Sequence, residues 1–104
     1  MQGVRRPRSS TTGVPGVSGY EQFSTLNSAL SVPGLTGLTG MAACPTGKHA
    51  ITGGYEALNG AIFLTPVASY PVAPTIWRVD LRNTGTGSVS NVQLRVYVIC
   101  ANSP

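Results

Sequence analysis

At 104 residues the chain is one domain at most, and a domain of this size buries only a thin core. Charged residues make up 10%, against roughly 25% in ordinary soluble proteins, and the three acids (Glu21, Glu56 and Asp80) are too few and too scattered for paired-carboxylate catalysis. The net charge of +4 is mostly a tail: Arg5, Arg6 and Arg8 supply three positive charges, and Lys48, Arg78, Arg82 and Arg95 exceed the three acids by one.

Residues 1–19 read as a flexible, basic arm. They hold Pro7, Pro15 and four glycines, and no apolar face repeats along them. Gly13, Gly16 and Gly19 fall three apart in G-V-P-G-V-S-G, the spacing of a collagen triple helix. Two triplets cannot hold a triple helix alone, so a linker is expected. Residues 1–10 carry arginines without the apolar run of a signal peptide. If Met1 is the natural start, the chain is expected to be made in the cytoplasm and not exported by the general secretory route. No run of about 18 apolar residues is present to span a membrane.

From Tyr20 onward a single β domain, residues 20–104, is expected. A first strand is expected over 20–26, then a Gly-rich loop over 31–40, then strands near 38–44, 48–55, 61–65 and 67–72. Pro66, Pro71 and Pro74 confine that middle region to edge strands or turns. In residues 75–83, Trp77, Val79 and Leu81 alternate with Arg78, Asp80 and Arg82, which is period two with apolar residues in and charges out. In residues 92–100, Val92, Leu94, Val96, Val98 and Cys100 share one face, and Gln93, Arg95, Tyr97 and Ile99 the other. The short polar stretch 83–88 between these two strands predicts an antiparallel hairpin. No stretch shows helical periodicity. The fold class is therefore all-β: a small antiparallel β-sandwich or jelly-roll-like domain with an extended N-terminal arm, its core built from Trp77, Val79, Leu81, Val92, Leu94, Val96 and Val98.

Few residues invite chemistry. Cys44 and Cys100 either form a disulfide, which would close a loop of about 55 residues and contribute about 4 kcal/mol, or remain two buried thiols, as a cytoplasmic origin favours. Together with His49 they make too small a set for a metal site. A Cys44–His49 nucleophilic pair lacks a nearby acid, and His49 reads as a surface histidine beside a turn. Gly53-Gly54 lacks the lysine spacing and following helix of a phosphate cradle, and reads as a bulge or a close backbone approach. The Arg78–Asp80–Arg82 row is expected to pair laterally on its sheet or with a neighbouring subunit. Arg5, Arg6 and Arg8 would bind phosphates with strong salt sensitivity, but the near-neutral domain behind them has no basic, aromatic face, so nucleic acid is not the expected partner. Tyr55 and Tyr70 are the aromatics expected at an interface or stacked on a sugar.

Four runs occur together: G-V-S-G-Y-E at 16–21, C-P-T-G-K-H-A-I-T-G-G-Y at 44–55, W-R-V-D-L-R-N-T-G at 77–85 and V-Y-V-I-C-A at 96–101. In combination, across roughly residues 13–101, the chain resembles the small C-terminal β-sandwich modules of bacterial and phage collagen-like proteins. The resemblance implies a non-enzymatic display module, as at the head of a trimeric fibre, with Cys44 and Cys100 as a candidate bridge. The long collagen-like stalk is missing here, which points to a free-standing module.

The leading expectation is therefore a virion structural protein of a phage, assembled in the host cytoplasm. It would serve as a capsid decoration (cement) protein or surface knob, a homo-oligomer (a trimer) on the major capsid or another virion protein. Arg5, Arg6 and Arg8 would dock it through charge-assisted bonds to an acidic surface. The alternative is a receptor- or glycan-binding head domain of a phage fibre or bacterial surface protein, extracellular or at the cell surface. No enzyme activity, cofactor, metal or membrane partner is expected.

Overall fold

The structure is a computed structural model that describes residues 18–102. It is all-β apart from one short 3₁₀ turn. The strands in chain order are β1 (Ser18–Val32), β2 (Gly37–Ala43), β3 (His49–Asn59), β4 (Thr65–Ala73), β5 (Ile76–Arg82) and β6 (Val89–Asn102). Two antiparallel three-stranded sheets face each other, ordered β1-β6-β3 and β2-β5-β4. This is the β-sandwich that the alternating patterns predict.

The two most regular amphipathic strands occupy the two central positions, because a central strand must hide one face and pair both edges. On β6, Val92, Leu94, Val96, Val98 and Cys100 are fully buried, and Val79 and Leu81 of β5 oppose them. Burying each of these aliphatic side chains stabilises the fold by about 1.5–3 kcal/mol. Arg78, Asp80, Arg82, Gln93, Arg95 and Tyr97 face outward, with Ile99 among them. β4, with Pro66 and Pro71, lies at a sheet edge, and its register shifts between Pro66 and Ala68 and between Pro71 and Ala73. That placement fits prolines, which cannot donate to a ladder.

Three expectations need correction. The first strand is much longer than residues 20–26: β1 runs 15 residues and pairs along nearly all of β6, from Glu21↔Cys100 to Val32↔Val89. Its own apolar pattern is weak, so its length is imposed by the partner. Residues 61–65 do not form a strand. Gly60–Phe63 is a 3₁₀ turn, entered through Asn59 at φ 51°. The backbone there lies against β6 so closely that a Cβ on Gly60 would sit 2.1 Å from the Ser90 carbonyl oxygen. Finally, β5 and β6 are not a hairpin. They lie in opposite sheets, and residues 83–88 carry the chain across the sandwich.

That crossing is built by the Asn83 side chain, which is 3% exposed. Its Nδ2 donates to the carbonyls of Val32 (3.0 Å) and Gly87 (2.8 Å), and its Oδ1 accepts from the Gly85 N–H (3.0 Å). One polar side chain thus ties the end of β5 to the end of β1 in the other sheet. At the opposite end of the sandwich, the Cys44–Cys100 disulfide joins the residue after β2 to β6. Each end of the core is thus tied between sheets, the disulfide end also by the Ala50 N–H, which donates to the Pro74 carbonyl at 2.8 Å.

Between these links, Trp77 packs against β3 at Gly53. A Cβ on Gly53 would lie 2.3 Å from the indole ring, so only a glycine leaves room there. The indole Nε1 donates to Ser69 Oγ at 2.9 Å. Gly53-Gly54 is thus a close backbone approach, with the register irregularity just before it, between Ala50 and Thr52.

Candidate functional site

The charged side chains of the described body are engaged within the chain. Lys48 Nζ donates to Glu21 Oε1 and to the Gly19 carbonyl (2.6 Å), clasping the start of β1 to the loop before β3. Arg78 Nε donates to Asp80 Oδ1 at 2.9 Å, and Thr39 Oγ1 donates to the same oxygen at 2.8 Å. Partial desolvation acts to raise the Asp80 carboxyl, but these two hydrogen bonds and the Arg78 charge hold it below the ordinary value. Arg78 is raised in turn, through its hydrogen bond and attraction to Asp80. Arg82 Nη2 donates to the Leu35 carbonyl at 2.8 Å. On the outer face of the other sheet, Arg95 lies 3.7 Å from Glu56, which also accepts a 3.2 Å bond from the Tyr97 hydroxyl. Desolvation, followed by the Glu56 charge, pushes Tyr97 above its usual value.

So the Arg78–Asp80–Arg82 row pairs laterally on its own sheet, with Arg82 turned to a loop carbonyl. Asp80 neutralises Arg78, whereas Arg82, bonded to a neutral carbonyl, keeps its positive charge.

Apolar groups, by contrast, are left in the open. Twelve large hydrophobic side chains are exposed among the described residues, and the three most exposed collect at one end, with Leu35 beside them, while Tyr20 (61%) lies at the disulfide end. Leu30 (95% exposed) lies on β1 between the pairs Ala29↔Val92 and Ser31↔Ser90. Ile62 (64%) and Phe63 (73%) stand on the 3₁₀ turn that follows the pair Asn59↔Val92. Leu35 (56%) belongs to the β1–β2 loop, where its N–H donates to the Gly85 carbonyl at 2.9 Å. By register, all four sit at the end of the sandwich away from the disulfide.

Tyr55 and Tyr70 are both partly exposed but do not share a face. Tyr55 pairs with Val96, whose side chain points into the core, whereas Tyr70 pairs with Arg78 on the outward side of the other sheet. They do not form a joint stacking platform. Cys44 and Cys100 are bonded to each other, and His49 lies at the start of β3. Arg5, Arg6 and Arg8 fall outside the described residues. Among the described residues there is no cavity and no cluster of three metal-ligating side chains.

The apolar end was not legible in the sequence. In a strand over residues 61–65, Ile62 and Phe63 would point to opposite faces, one of them inward. The 3₁₀ turn instead leaves both outside. Leu30 sits beyond the expected end of the first strand, so nothing marked it as outward. The one available signal was a shortage of charge to cover the apolar content.

Comparison with protein-family models, curated proteins and solved structures gives no match.

Proposed function

We propose that the protein is a non-enzymatic structural component that self-associates into a trimer and decorates a larger particle, the particle being a phage virion. The observation that supports this reading is the pairing of an electrostatically satisfied body with an exposed apolar end. Burying Leu30, Leu35, Ile62 and Phe63 against a neighbour desolvates few ions, because the nearby charges already have partners. The loss of water contact at such side chains is the main favourable term in association. Docking to the particle is assigned to Arg5, Arg6 and Arg8. They precede β1 in the chain. The phage setting rests on the resemblance to collagen-like modules.

The test is the native mass of the full chain by sedimentation, together with co-sedimentation on candidate capsids. The expected result is a trimer that Ile62→Ser/Phe63→Ser converts to monomer, and capsid binding that Arg5→Ala/Arg6→Ala/Arg8→Ala abolishes. A monomer indifferent to capsids overturns the proposal, and binding of that monomer to a glycan array would identify a ligand-binding head instead.

A further inference from the structure

Asn59 has a backbone that L-residues rarely adopt, with φ 51° and ψ −126°. The position of a residue's Cβ is set one tetrahedral step around the Cα–C axis from its own nitrogen. A ψ of −126° therefore brings the next residue's nitrogen almost into eclipse with the Asn59 Cβ. In that arrangement the side-chain Cβ and the Gly60 nitrogen lie on the same side of the Cα–C bond, as a five-membered ring closed through Cγ requires. The residue that follows is glycine, so no side chain obstructs its nitrogen, and Asn59 is the one asparagine in the chain followed by glycine. Asn59 is also exposed to water. Its Nδ2 donates to Gln93 Oε1 across the β3–β6 pair, which fixes the carboxamide's orientation.

We infer that Asn59 is a site of spontaneous succinimide formation and deamidation, poised by the entry to the 3₁₀ turn. The Gly60 nitrogen gives up its proton to water or base and attacks Asn59 Cγ, so that an N–C bond forms. The Cγ–Nδ2 bond then breaks, and the amide nitrogen leaves as ammonia, a loss of about 17 Da. Water opens the ring at either carbonyl, giving aspartate or isoaspartate and a net gain of about 1 Da over the starting chain. No oxidant, metal or enzyme takes part.

Either product adds a fourth acid to a chain that has three. Isoaspartate also inserts a methylene into the backbone between β3 and the turn that carries Ile62 and Phe63. The modification therefore acts on the exposed apolar end, and it stands whether or not that end is an oligomer interface.

Trypsin releases residues 49–78 as one peptide, in which Asn59 is the sole amide side chain, so a mass gain there has one possible origin. The folded protein is incubated at physiological temperature and mildly alkaline pH, and the peptide is followed by mass spectrometry alongside isolated peptide 49–78. The expected result is conversion in the folded chain at least as fast as in the free peptide, with isoaspartate and aspartate forms separating on chromatography. Asn59→Gly keeps the left-handed backbone and should remove the mass gain without loss of fold. Conversion of the free peptide while the folded chain stays unmodified would overturn the inference, as would a peptide 49–78 that stays unchanged in both.

Discussion

Asn83 offers the sharpest test of the crossing between the two sheets. Asn83→Ala removes three hydrogen bonds (to Val32, Gly87 and Gly85) at a site 3% exposed. At about 1 kcal/mol net for each bond the loss is about 3 kcal/mol, with more where the Val32 carbonyl is left buried and unpaired. Against a total stability of about 5–15 kcal/mol this is a large share. Asn83→Asp is more informative, because it preserves shape and the acceptor to Gly85 but turns two donations into contacts between a carboxylate and two carbonyl oxygens. At neutral pH it is expected to cost more than alanine.

The pH dependence follows from linkage. Burial against carbonyls raises the folded pKa of the introduced carboxyl above its unfolded value, so the aspartate variant is most stable below the unfolded pKa. That stability is lost as pH rises through the folded pKa. Urea unfolding of wild type and both variants at acidic and neutral pH, with the disulfide intact, measures all of this. If Asn83→Ala falls within about 0.5 kcal/mol of wild type, in the range of ordinary surface changes, or if the Asp variant shows the same deficit at both pH values, the assigned role is wrong.

Two further outcomes follow from the packing. Reducing Cys44–Cys100, whose partners are 56 residues apart, is expected to lower stability by about 4 kcal/mol in the chain-entropy model, seen as a drop in urea midpoint on adding reductant. Gly53→Ala places a methyl group inside the space of the Trp77 ring, so a destabilisation of about 1–3 kcal/mol is expected together with a shift in tryptophan emission, whereas Gly54→Ala, which meets open space, should change neither.

The strands that the sequence revealed most clearly were those with two-residue alternation and contrasting faces. β5 and β6 were legible almost to their ends for that reason, and their inward residues lie in the buried core, with Trp77 half-buried against it. Period two reports which face is buried but carries no information about which strand lies alongside. A polar stretch of six residues between two amphipathic strands therefore fits a hairpin and a crossing equally well. What decides between them is Asn83, a buried polar residue whose bonds reach β1, and no local pattern announces a contact at that separation.

The same limit explains the candidate site. The Arg78–Asp80 pair follows from their spacing of two on β5, but the other partners depend on register: Thr39 meets Asp80, and Arg95 faces Glu56, through pairings that only the folded sheets create. With those side chains engaged within the chain, the apolar residues at the tip become the main feature of the surface. Leu30 owes its exposure to the length that β6 imposes on β1, and Ile62 and Phe63 owe theirs to the left-handed backbone at Asn59. A residue that stays asparagine in that conformation, where glycine would be less strained, is held there by its bond to Gln93 and by the close approach of Gly60 to β6. The strain at Asn59, the exposure of the tip and the chemistry proposed for the Asn59–Gly60 bond therefore have one structural origin, the tight entry of the chain into the 3₁₀ turn.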